Sequence, residues 1–100
     1  KAAMAVDPAE IELEDGPSKG RYRYRGEAGA AQMTFSRASA KLIIIDHTEV
    51  DPSLSGQGVG RRLLDAAVAW ARETRTKFLV TCPFATAQFA RDPSIRDVLA

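Results

Sequence analysis

One hundred residues, 45% of them hydrophobic and 27% charged with a net charge of +1, make one domain able to bury a core. So even a charge balance excludes nucleic acid or an anionic membrane as the main partner, and the apolar runs are too short to cross a bilayer. A single cysteine cannot close an internal disulfide, so the cytoplasm is the expected compartment, and no metal is expected.

Residues 1–8 read as a disordered tail, and residues 9–14 as weakly structured, at most a fragment of edge strand. Residues 21–25 alternate strictly, which predicts a strand with Tyr22 and Tyr24 on one face and a solvated stripe of Arg21, Arg23 and Arg25 on the other. Residues 26–29 supply a turn. Residues 31–36 alternate again, with Ala31, Met33 and Phe35 inward, and residues 37–40 form a second turn. Residues 41–50 make the most hydrophobic strand, so three strands joined by short loops imply an antiparallel meander.

A loop over residues 51–57 then feeds a helix over 58–74, whose buried stripe is Val59, Leu63, Leu64, Ala67, Trp70 and Ala71. Residues 77–82 read as a short buried strand, which makes a right-handed parallel crossover of strand, helix and strand. A helical segment from Pro83 covers Phe84, Ala87 and Phe89, and a last one over 93–99 packs Ile95, Val98 and Leu99 inward. The expected fold class is therefore α/β: an antiparallel meander plus a strand–helix–strand crossover, a mixed sheet with helices packed on it.

The chemistry concentrates in Ser55-Gly56-Gln57-Gly58-Val59-Gly60-Arg61, where strand gives way to helix. Glycines at alternate positions let the backbone turn tightly and approach a ligand without Cβ obstruction. Amides of the loop and first helical turn are left unpaired at the positive end of the helix dipole, an arrangement that binds phosphate. A P-loop is excluded, because Arg61 and Arg62 stand where lysine and a hydroxyl are needed. A dinucleotide fingerprint fails as well, since the sixth position counted from Gly56 is Arg61.

The remaining pattern resembles the acyl-CoA pyrophosphate loop of the GNAT N-acetyltransferase superfamily, Arg/Gln-x-x-Gly-x-Gly/Ala. Ser55 stands at the Arg/Gln position, with Gly58 and Gly60 at the glycines. Together with Asp46-His47-Thr48-Glu49-Val50 before the loop and Thr81-Cys82-Pro83-Phe84 after the helix, the chain resembles the compact stand-alone members of that superfamily over residues 21–99. Residues 9–100 are then one GNAT-like domain. The chain departs from those members at Gln88, where an aromatic residue is usual, and at Asp92-Pro93-Ser94-Ile95, where a His-Pro-Glu-Tyr-like segment is usual.

The resemblance implies acetyl-CoA as co-substrate, held by Ser55, Gly56, Gln57, Gly58, Val59, Gly60 and Arg61. It also implies a gap for the pantetheine arm, bordered by Thr48 to Val50 on one side and Val80 to Cys82 on the other. The implied acceptor is an amine, on a small molecule or a protein, and the chain is expected to be a monomer or weak dimer. His47 and Glu49, two apart on a strand, share a face, so either could take a proton from the amine. Cys82 precedes Pro83 and so occupies a helix N-cap, where a thiol feels the positive helix end; it either forms a covalent acetyl intermediate or lines the site. Two other classes stay open: an acyl-CoA-binding module with little transferase activity working through a protein partner, and a thiol-reactive protein using Cys82.

Overall fold

The computed structural model describes residues 11–100, so the expected tail over residues 1–8 lies outside the described residues. Five strands form one sheet in the order β1 (Ile11–Asp15), β2 (Lys19–Gly26), β3 (Gly29–Ser39), β4 (Leu42–Val50) and β5 (Lys77–Val80). The first four pair antiparallel in chain order, and β5 lies parallel to β4, as the crossover pattern requires. Of the segment over residues 9–14 read as weakly structured, residues 9 and 10 lie outside the described residues and the rest belongs to a full edge strand, paired from Ile11↔Tyr24 to Asp15↔Gly20. That strand covers β2, so its arginine stripe is not free in solvent: Arg21 and Arg23 both bond Glu14, at 2.8 and 3.0 Å.

Strand β3 runs on to Ser39, through residues 37–39 of the expected turn. Arg37 holds it extended: its amide bonds the Ser18 carbonyl, its guanidinium pairs with Asp15 at 2.5 Å, and it lies 5.7 Å from the Trp70 ring centre. The register shifts between Arg37 and Ser39, which gives up one pairing to keep the arginine in place.

The helix α1 (Val59–Thr74) lies across β2, β3 and β4, burying Val59, Leu63, Leu64, Ala67, Val68 and Ala71. Val68 extends the expected stripe, and Trp70 is only partly buried at its edge. Against that stripe the sheet sets Tyr22, Met33, Phe35, Ile43 and Ile45. Trp70 packs on Tyr22 at 6.3 Å and on Phe35 at 6.0 Å between ring centres. Burial pushes the Tyr22 hydroxyl's pKa up, and that hydroxyl finds no hydrogen-bond partner among the described residues.

The second helix, α2 (Pro83–Arg91), buries Ala85 and Phe89; Ala87, expected inward, is exposed. Phe89 meets Phe78 of β5 edge to face at 6.4 Å. A 3₁₀ segment, Pro93–Val98, then tucks Ile95 and Val98 into the same core. Helices α1 and α2 touch through Phe84 and Gly60, where an added Cβ would come within 3.0 Å of the phenyl ring. Both helices therefore cover one face of the sheet, and the described residues put no helix on the other. No helix of the described residues is long and apolar enough to cross a membrane.

Leu64 is fully buried between α1 and the sheet, so Leu64→Ala should cost about 2–5 kcal/mol of unfolding free energy, read from urea denaturation followed by circular dichroism.

Candidate functional site

The loop after β4 is fastened before it reaches the helix. Asp51 exchanges bonds with β3: its amide donates to the Ala30 carbonyl at 3.0 Å, and its carboxylate accepts from the Ala30 amide at 2.8 Å. A 3₁₀ turn, Pro52–Leu54, follows and plugs Leu54 into the core at 1% exposure. Gly56 and Gly58 then take φ of +79° and +73°, the left-handed region that only glycine enters at little cost, with open space where a Cβ would point. Gly58 is the N-cap of α1 and offers no side chain to cap it. Gly60 does different work: it lies within the helix and admits Phe84 of α2.

The hydrogen bonds of this stretch separate two sets of amides. Those of Ser55 and Gln57 are spent on the carbonyls of Pro52 and Leu54, at 3.0 and 3.2 Å. The first intrahelical bond runs from Arg62 to the Gly58 carbonyl at 3.1 Å. The amides of Gly56, Gly58, Val59, Gly60 and Arg61 find no acceptor among the described residues. No carboxylate occupies the first helical turn, so the positive end of the dipole meets no acidic side chain there. These donors fit a diphosphate: several peptide N–H groups without acceptors at one helix end, where Gly56 and Gly58 carry no side chain.

Arg61 is engaged elsewhere. Its guanidinium bonds Asp65 at 2.9 Å, Gln88 at 3.0 Å and Asp92, reaching toward α2. Its amide belongs to the open set, while its side chain ties the two helices together. Arg62 is exposed and bonds to no side chain among the described residues, so the free cation of this turn is one position later than expected.

Between β4 and β5 the sheet comes apart. Their pairing ends at Ile45↔Val80, and the Ile45 carbonyl accepts from the amides of Thr81 and Cys82 and from the Thr81 hydroxyl, at 3.0, 3.2 and 3.2 Å. Beyond that point β4 runs on to Val50 with no partner strand on that side among the described residues, while the chain after Thr81 turns into α2. The gap thus opens between residues 46–50 and residues 81–82; Val80, expected on its border, is still paired.

A bulge lies at the same place. The register passes from Phe35↔Ile45 to Thr34↔His47, leaving Asp46 as the extra residue. The facing of β4 reverses there: Ile43 and Ile45 point to the helices before it, Thr48 and Val50 after it, opposite Met33 and Ala31. His47 and Glu49 consequently stand on the bare face, more than half exposed and 3.5 Å apart, with Gln32 donating to Glu49 at 2.8 Å. Cys82 lies on the helix side, 1% exposed, with its thiol 3.3 Å from the Thr48 hydroxyl and no bond to the backbone of the helix it begins. The expected set is thus divided by the sheet: Thr48 meets Cys82 on one side of the gap, and His47 pairs with Glu49 on the other.

The sequence carries no mark of the bulge: four consecutive apolar residues, Leu42 to Ile45, precede Asp46, and within β4 only Val50 is apolar after it. Among the described residues no three His, Cys, Asp or Glu side chains gather as metal ligands.

A family described as GCN5-related N-acetyl-transferase matches residues 21–98. No curated protein sequence matches. Among solved structures, the solution structure of a GCN5-like candidate N-acetyltransferase from Staphylococcus aureus superposes with a TM-score of 0.68 at 35% identity, covering 92% of this chain and 90% of that one.

Asp92 provides a pH test of its bonds to Ser94 and Arg61 together. Its carboxyl is pulled from 3.8 to about 2, by the Ser94 hydroxyl first and then by Arg61. A folded pKa below the unfolded one means stability that is present above pH 3.8 and lost as the pH falls toward about 2. The melting temperature should drop through that window, and Asp92→Asn should remove part of the drop in thermal scans across it.

Proposed function

Because the chain belongs to the family of GCN5-related N-acetyltransferases, we propose that it binds acetyl-CoA and transfers the acetyl group to an amine. The observation that carries this reading is the set of open amides, those of Gly56 and of Gly58 to Arg61, at the start of α1. A hydrogen bond to a charged acceptor contributes about 1.5–3 kcal/mol, so several such amides hold a diphosphate without any lysine or metal. Arg62 adds a cation beside them.

Bound acetyl-CoA supplies an acyl group activated as a thioester. The unpaired side of β4 over residues 46–50 offers peptide N–H and C=O groups to the amide-bearing arm of the cofactor. Thr48 and Cys82 line the gap on the helix side, where either the hydroxyl or the thiol can present a proton to a departing thiolate. His47 and Glu49, on the bare face, are the groups able to take the proton an attacking amine must lose. The acceptor is a small molecule or a protein, and the site excludes water poorly on the bare face, where the described residues provide no covering helix.

Gly58→Glu tests the loop. A carboxylate at the head of the open amides should lower CoA affinity by at least about tenfold in isothermal titration, while Gly58→Ala, which adds backbone strain without charge, keeps most of it. Unchanged affinity in Gly58→Glu removes the loop from the reading. Tight CoA binding with no acetyl transfer to any amine assigns the chain to the rival class, a cofactor-binding module that acts through a partner.

A further inference from the structure

The bare face of the sheet carries a cavity of about 620 Å³ whose charged lining consists of Glu14, Asp15, Lys19, Arg21 and Asp46. Two of these acids are already matched. Glu14 is held by Arg21 and Arg23, whose guanidiniums keep its carboxyl below the ordinary range, and Asp15 pairs with Arg37. Asp46 is the lining carboxylate that no cation meets among the described residues; its one side-chain bond is from the Ser36 hydroxyl, at 2.6 Å. It is half-buried, so its negative charge is only partly screened by water. It is also the bulge residue, immediately after Ile45, where β4 and β5 part. An unmatched acid thus lies both in an open groove and at the residue where β4 and β5 part.

We infer that this cavity binds a primary alkylammonium group, with Asp46 as the carboxylate that holds it. The three N–H donors of such a group find acceptors in the Asp46 oxygens and in the Ser36 hydroxyl, which donates to Asp46 and retains lone pairs of its own. A charge-assisted bond of this kind is about twice as strong as a neutral one. Lys19, an exposed cation of the same lining, bonds to no other side chain among the described residues, so its charge competes with that of a cationic ligand by repulsion rather than assisting it. That the amine held here is the acetyl acceptor rests on the transferase reading above; the binding site itself does not.

The test is a titration of isotope-labelled protein with n-butylamine, 1-butanol and, separately, coenzyme A, followed by amide chemical shifts. Butylamine should move the resonances of Thr34, Ser36 and Asp46, and butanol, equal in size but uncharged, should leave them in place. Asp46→Asn keeps an oxygen for Ser36 and should weaken butylamine binding by about tenfold. Lys19→Met, which removes the competing cation, should tighten it. Equal shifts from butanol, or unchanged butylamine affinity in Asp46→Asn, overturn the inference, as does weaker binding in Lys19→Met. Coenzyme A reads the other proposal at Gly58 to Arg61. Shifts there with no response to butylamine sink the amine site alone, whereas a butylamine response with none to coenzyme A supports the amine site and sinks the acetyl-CoA reading.

Discussion

The Ile45 carbonyl is where the parallel half of the sheet stops. A strand carbonyl in the interior of a parallel pair takes one N–H from its neighbour; here two amides and a hydroxyl, from Thr81 and Cys82, converge on it. With that oxygen saturated, β5 has nothing further to offer β4, and the chain bends away into α2 with Pro83 at its first position. The bulge at Asp46 completes the parting by turning β4 over at the same residue. Each candidate group owes its place to this parting: Cys82 because it follows the bend, Thr48 because the facing reversed, and His47 and Glu49 because the reversal moved them to the opposite side.

At the helix start, the constraint is the reverse: bonds are withheld rather than concentrated. Asp51 and Leu54 secure the loop firmly enough that the glycines beyond them can leave their amides open. The Arg61 side chain is engaged by Asp65, Gln88 and Asp92, and open space lies where a Cβ at Gly56 or Gly58 would point. Its guanidinium is thereby held more basic than usual, by Asp65 first and then by Asp92. Gln88 and Asp92, both among the residues at which this chain departs from the related pattern, are two of the three side chains that hold Arg61, so their substitution bears on how α1 meets α2.

Much of this was legible in the sequence. The apolar periodicity marked α1 to within a residue of its ends, and the short loops between three alternating segments required an antiparallel meander. What alternation could not reveal was register. A bulge adds one residue without changing composition, so the pairing of His47 with Glu49 was readable while the side of the sheet they occupy relative to Cys82 was not. The edge strand β1 was underestimated for a similar reason: its acidic residues look like loop until Arg21 and Arg23 of β2 meet Glu14 and Arg37 of β3 meets Asp15. Ala85 and Ala87 are indistinguishable by hydrophobicity, and only the docking of α2 on Phe78 decides which is covered.

Trp70, the sole tryptophan, lies wedged between Tyr22, Phe35 and the guanidinium of Arg37, eleven residues along α1 from its first. At 1.5 Å per residue it is about 16 Å from the helix start. Its fluorescence is therefore a native optical gauge of whether helix and sheet are docked, insulated from events at the glycine loop, and it allows ligand effects to be separated from unfolding in one cuvette.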